Sequence, residues 1–354
     1  MVARGAPTPT ASQDIMQPIR FAILGFGYHA AFRLVPSFRN CQHATLVGFH
    51  RRDPAKAARD AAAHNLRAFP SAEELCASPE VDAIFITSPD ALHLPDVRLA
   101  FIHNKPVLCE KPLAANGAEA TAMLAAANFS SQLFGVAHHY RWAHTIQQIR
   151  SRVAAGEIGE PRTAHAEFNY AAQFSRRPWI TDPTLAAGGP IGDVGVHAID
   201  SLRFIFGASG GGNGMQVTSV STIATQDAHS GPVEASASMQ LELANGVLAS
   251  VNVSARAHYR TVIEIVGSEG VLIAENGMTV DHPVDIVLRR KGLHINTNTV
   301  NNADAYTRMI DNFAQALRDH AEFLAPGSEG VHNQYILDAA YESWRSGKRE
   351  LVRG

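Results

Sequence analysis

The chain has 354 residues, 46% of them hydrophobic and 18% charged, which suits one large or two ordinary globular domains and excludes a disordered or low-complexity chain. Thirty Lys and Arg against 33 Asp and Glu leave a formal charge of -3, so the overall charge gives no reason to expect nucleic acid. Three cysteines, Cys41, Cys76 and Cys109, form no C-x-x-C pair, which argues against a disulfide framework and against zinc. No apolar run approaches the ~20 residues of a membrane span. Residues 1–17 lack the apolar centre of a signal peptide. They read as a disordered leader, and the expected location is the cytoplasm.

From Ile19 the chain alternates short apolar runs with longer Ala-rich stretches. Ile19 to Leu24, Leu46 to Phe49, Ala83 to Thr87, Pro106 to Cys109 and Leu133 to Val136 are the runs. Pro54 to His64, His93 to His103 and Asn116 to Asn128 read as helices between them. Strands apolar on both faces and separated by helices predict a parallel sheet covered on both sides, a doubly wound α/β domain over residues 18–140.

Residues 141–354 have another rhythm. Thr163 to Tyr170, Val217 to Thr225, Glu234 to Leu243, Val247 to Ser254, Thr261 to Val266 and Asp285 to Arg290 read as successive strands, several with period-2 alternation. Asn245-Gly246 predicts a type I′ hairpin turn, Ser268-Glu269-Gly270 another turn, and Gly207 to Gly214 a flexible loop. Helices over Ala303 to His320 and Val331 to Ser346 close the chain. The expectation is an α+β domain with a large, mostly antiparallel sheet, open on one face to a partner, its last helix able to pack back on the first domain.

Three motifs carry chemistry. Gly25-Phe26-Gly27-Tyr28-His29-Ala30 follows the first strand and opens a helix. There the first glycine permits a tight turn, the second lets backbone approach a pyrophosphate, and the small third residue lets helix pack on strand. Cys109-Glu110-Lys111-Pro112 ends a strand, where ligands of open α/β sheets bind. Thr87 to His93 ends another, which adds Ser88, Pro89 and His93 as cleft-edge candidates. The third motif runs from Gly188 to Asp200. Asp193 and His197 are four residues apart, so a helix puts them on one face, where a carboxylate could orient an imidazole and tune it toward neutrality for proton transfer.

In their order these motifs resemble the glucose–fructose oxidoreductase/inositol dehydrogenase (Gfo/Idh/MocA) family, and the stretch Ala339 to Lys348 resembles that family's terminal helix. The likeness runs from Ile19 onward. It implies a Rossmann domain, an α+β domain with an open sheet, association as a homodimer or homotetramer, and NAD(P)-dependent oxidation or reduction of sugars and cyclitols. Lys111, Asp193 and His197 match the family's catalytic trio. Glu110 would steady the loop and the lysine, and Asp200 would be structural. Arg141, in Tyr140-Arg141-Trp142, matches a segment near the cleft. Trp179, in the loop from Asn169 to Pro183, could stack on a sugar ring. His138, His139 and His144 crowd one region, but neighbours in an extended segment point to opposite faces, so no metal site is expected.

The strand that should end in an acidic residue for the adenosine ribose is followed here by His50-Arg51-Arg52-Asp53-Pro54. Asp53 is better placed to cap the next helix. Arg51, supported by Arg52 and His50, could meet a 2′-phosphate, so NADP(H) is expected over NAD(H). Two other readings share the scaffold: a non-catalytic sensor of dinucleotide or sugar, and a dehydrogenase of a non-sugar substrate such as a dihydrodiol or a tetrapyrrole.

Overall fold

The computed structural model describes residues 17–172, 177–182, 184–207 and 214–354. The expectations for the leader and for most of the Gly207 to Gly214 run lie outside them. Six parallel strands, β1 (Ile19–Leu24), β2 (Ala44–His50), β3 (Arg67–Phe69), β4 (Ala83–Ile86), β5 (Val107–Cys109) and β6 (Phe134–Val136), lie in the order β3-β2-β1-β4-β5-β6. This is the doubly wound Rossmann arrangement, whose order reverses beside β1. The strands are apolar throughout because alternate residues feed different cores. Phe21, Ile23, Ala83 and Phe85 pack on one side with Leu34 and Phe38. Ala22, Leu24, Ile84 and Ile86 pack on the other with Leu75, Val97 and Met123. Asp53 accepts from the Lys56 amide and caps the helix Pro54–His64, with Pro54 at its first position.

The second sheet has nine strands: β7 (Pro161–Asn169), β8 (Val217–Thr225), β9 (Ser236–Leu243), β10 (Leu248–Ser254), β11 (Arg260–Gly267), β12 (Val271–Glu275), β13 (Val284–Arg290), β14 (Leu293–Val300) and β15 (Glu350–Leu351). Their order is β14-β13-β12-β11-β7-β10-β9-β8-β15. Pairing is antiparallel except between β7 and β10. One face buries Ala166, Phe168, Met239, Val251, Val253 and Ile263 in the core that holds the helix Val196–Phe206. The other face leaves His165, Glu167, Ser250, Asn252 and Glu264 partly exposed. The β9–β10 hairpin stands where Asn245-Gly246 predicts it, but the turn type differs. Gly246 N donates to Leu243 O, and only Gly246 has positive φ, at 84°. That is a three-residue loop closed by a glycine bulge, because a type I′ turn needs positive φ at two consecutive positions.

The last helices bind the two sheets together. The helix Ala305–Asp319 buries Tyr306, Met309, Ile310 and Phe313 against Phe21 and Phe38 of the first sheet's layer. The helix Gly327–Ser346 places Val331 on the first-sheet core and Ile336, Leu337 and Ala340 in the second. Among the described residues no helix is long and apolar enough to cross a membrane.

Candidate active site

The site lies at the carboxyl ends of β1, β4 and β5. Gly25 has φ of 93°, and a Cβ there would sit 2.4 Å from the Ser88 amide nitrogen, so glycine lets the two loops touch. At Gly27 a Cβ would meet nothing nearer than the Gly25 carbonyl at 3.9 Å, which leaves open space over the second glycine. Ala30 is fully buried against the strand. An open approach beside a helix start suits a pyrophosphate, so these residues fit a dinucleotide. Tyr28 is half exposed and stacks on Phe32. Pro89 heads the short turn Asp90–Leu92.

Lys111 follows β5 and reaches across to the helical segment that begins at Ile191. Its Nζ donates to the Asp193 carbonyl at 2.8 Å and to Asp193 Oδ1 at 3.3 Å. Two further groups hold the same carboxylate. Tyr170, just past β7, donates its hydroxyl to Oδ2 at 2.7 Å, and Arg177 makes the bidentate pair at 2.8 Å on each oxygen. Burial pushes the Asp193 carboxyl up, but Arg177 and Lys111 outweigh it and hold it far below the usual carboxylate range. The segment itself is fixed by Glu234, whose carboxylate accepts from the Gly189 and Ile191 amides, and by Asp90, which accepts from the Ala187 amide.

His197 sits in the first turn of Val196–Phe206 among aromatic rings. Tyr140 and His139 meet it edge to face at centroid distances of 5.0 and 5.1 Å, and Phe168 lies at 6.1 Å. Its Nδ1 is buried and has no hydrogen-bond partner among the described residues. The idea that Asp193 orients this imidazole is therefore corrected: the carboxylate is taken up by Lys111, Arg177 and Tyr170. The idea of a pKa near neutrality is corrected too, since burial, then the Lys111 charge, push His197 well below 6.5. The ring is neutral at pH 7, ready to accept a proton. For substrate oxidation, kcat/KM should then stay flat down through pH 6.5 and fall only at more acid pH, as the base becomes protonated. His197→Asn should abolish that acid limb; a limb that persists in the variant would assign it to another group.

Glu110 bridges neighbours, accepting from the Lys111 amide at 3.2 Å and pairing with His29 Nε2 at 3.2 Å. Burial raises its carboxyl, yet His29 and Lys111 bring it down to about 2. Next to it, His139 stacks on Tyr306 with centroids 4.0 Å apart. Tyr170, Arg177, Tyr306 and the role of His139 all escape the sequence reading. Arg177 lies in the loop named for Trp179, but nothing in the order of residues distinguishes it from Arg176.

Other expected contacts move elsewhere. Arg141 is fully buried, turned by the short helix His139–Trp142 away from the cleft and onto Asp200, Glu329 and the Leu324 carbonyl. His93 is also fully buried, with Nδ1 on the Pro112 and Leu113 carbonyls and Nε2 on the Ser88 carbonyl. It ties the two cleft loops together from below rather than facing a ligand. The Ser88 hydroxyl donates to Asp96. Trp179 is partly exposed in the turn Pro178–Thr181. Arg51 pairs with Asp60, while Arg52 is exposed. His138 bonds Asn333, and His144 pairs with Asp304. Among the described residues no group of three or more His, Cys, Asp or Glu side chains is placed to hold a metal.

Comparison with known proteins adds to this geometry. Residues 19–138 match the oxidoreductase family with an NAD-binding Rossmann fold, and residues 146–273 match the GFO/IDH/MocA C-terminal domain. The chain belongs to the GFO/IDH/MocA oxidoreductase family. It is 30% identical over 262 residues to a 1,5-anhydro-D-fructose reductase of Ensifer adhaerens, covering 74% of this chain and 77% of that protein. It is 24% identical to a D-xylose 1-dehydrogenase [NADP(+)] of Haloarcula marismortui, covering 92% and 91%. In fold it resembles the aldose-aldose oxidoreductase of Caulobacter crescentus, solved with glycerol, at a TM-score of 0.86 and 20% identity, over 95% of this chain and all of that one. The protein is thus an oxidoreductase that uses a nicotinamide dinucleotide.

Proposed function

We propose that this member of the family oxidises or reduces a carbinol or carbonyl carbon of a sugar, cyclitol or related polyol, with Lys111, Asp193 and His197 acting on the substrate. The observation that carries this is a largely buried ammonium at the end of β5 facing a buried carboxylate and a neutral imidazole on the helical segment opposite, beside the glycine turn. The nicotinamide, when bound, supplies the hydride chemistry. In oxidation, His197 takes the hydroxyl proton. The Lys111 ammonium donates to the same oxygen and stabilises the alkoxide as it forms. Asp193 holds the ammonium in place; its acceptor positions are taken by Lys111, Arg177 and Tyr170, so it would orient a substrate hydroxyl only by exchanging one of these donors, while Trp179 would present a ring face. The names of the curated relatives support a sugar-like substrate. Three unpaired thiols and dependence on a nicotinamide pool support a cytoplasmic enzyme.

NADP(H) is the cofactor we favour. No carboxylate ends β2, and Arg51 and Arg52 follow it. Arg51 would have to leave Asp60, but a partly exposed ion pair is worth about 0–1 kcal/mol, less than the about 1.5–3 kcal/mol of a charge-assisted phosphate contact. Replacing both arginines with Ala should weaken NADPH by at least ~10-fold and leave NADH nearly unchanged. Titration of both cofactors checks this, and tighter binding of NADH by the unaltered chain refutes it.

The open face of the second sheet supports a homodimer or homotetramer. Sedimentation should give at least twice the chain mass; a clean monomer of 38.1 kDa at micromolar concentration overturns the assembly.

A further inference from the structure

We propose that His139 and His29 form a proton exit from the buried site, His139 exchanging the proton with His197 and His29 delivering it to solvent. The inference rests on the reading that His197 handles the hydroxyl proton. In each oxidation the C–H bond breaks with its electron pair leaving as hydride to the nicotinamide. The O–H bond breaks with its proton going to His197, and the C=O bond forms. One proton per turnover must then reach water, and the reverse reaction must import one. His197 is only 7% exposed, so its route out is a structural question.

Four observations define that route. His197 Nδ1 is buried without a hydrogen-bond partner among the described residues. The ring edge-on to His197 at 5.1 Å is another imidazole, His139, in direct edge-to-face contact, so a ring rotation would be enough to bring a nitrogen of one to a nitrogen of the other. His139 and His29 both rest on the Tyr306 ring, at centroid distances of 4.0 and 5.7 Å. The His29 side chain is one-third exposed. A neutral imidazole accepts a proton on one nitrogen while giving one up from the other, which suits it to pass protons onward.

The groups around this line favour transit in that direction. Tyr140 and Tyr306 flank the His139 ring, and both are held above their ordinary range by burial, so neither competes as a base. Glu110 stays ionised and pairs with His29, and its charge also favours the protonated form of His139. Burial above all, with the His29, Lys111 and Arg33 charges, outweighs Glu110 and holds His139 well below 6.5, which keeps the proton from resting there. On the far side, the Asp193 carboxylate is held by Arg177, Lys111 and Tyr170, and a guanidinium does not give up its proton.

The test uses the full chain with NADP and a panel of D-xylose, hexoses and polyols, and with NADPH and 1,5-anhydro-D-fructose, taking the fastest substrate of the unaltered protein. His139→Phe should lower kcat at least ~10-fold with KM for substrate and cofactor within a few-fold. Imidazole added to the buffer should restore part of the rate, and the solvent deuterium effect on kcat should rise. His29→Gln should show a smaller loss with the same rescue, and His144→Gln no loss. His139→Asn, with cofactor titration to check folding, stands in if the Phe variant is unstable. A normal kcat in the His139 variants, or a loss that imidazole does not restore, overturns the exit while leaving the activity intact. An unaltered chain that turns over no member of the panel overturns the underlying reading, and the exit with it.

Discussion

Lys111→Ala should lower kcat by at least ~100-fold while cofactor affinity changes by no more than a few-fold. Removing one preorganised donor at a developing oxyanion costs about this much. The variant should fold, because Asp193 keeps Arg177 and Tyr170 as partners and is not left as a lone buried charge. Lys111→Arg should also be poor, since a planar fork does not substitute for a point cation that meets both the Asp193 carbonyl and its carboxylate. Steady-state kinetics with direct cofactor titration decides it: normal turnover in Lys111→Ala removes this residue from the chemistry.

Arg141→Ala should destabilise the fold by about 3–5 kcal/mol, the usual cost of breaking one side of a buried ion pair. Two cations, Arg141 and Arg203, face two anions, Asp200 and Glu329, with Asn333 and His138 completing the cluster. Charges balance two against two, so loss of Arg141 leaves one anion uncompensated where it is fully buried. Against a total stability of about 5–15 kcal/mol that is a severe loss. Asp200 lies one turn beyond His197 on the same helix, so activity should fall with stability. Denaturant unfolding with an unchanged slope measures the loss; a change below ~1 kcal/mol contradicts the role given to the cluster.

That cluster also shows where sequence and structure part. The first sheet is legible because doubly buried strands must be apolar and some of the helices between them carry side-chain caps. Asp53 before Pro54 and Asn116 before Gly117 mark helix starts that the structure reproduces. β3 and the helix Ala72–Ala77 escape because three and six residues are too few for a period to emerge. β14 escapes because seven of its eight residues are exposed, leaving no alternation to read. In the site, Lys111, Asp193 and His197 stand close to glycine and proline signals. Arg141 misleads because its neighbours in sequence line the cleft, while its own guanidinium finds two carboxylates inward. Tyr306 lies nearly two hundred positions from Glu110 and reaches the site only because its helix returns to the first sheet.

The most direct test of the account is turnover by the unaltered chain beside Lys111→Ala and His197→Asn, followed by the absorbance of reduced nicotinamide with the same sugar and polyol panel. The unaltered protein should turn over at least one member, and both variants should lose that rate while still binding cofactor. Tight cofactor binding by the unaltered chain with no turnover of any member would contradict catalysis and point to a sensor built on the same fold.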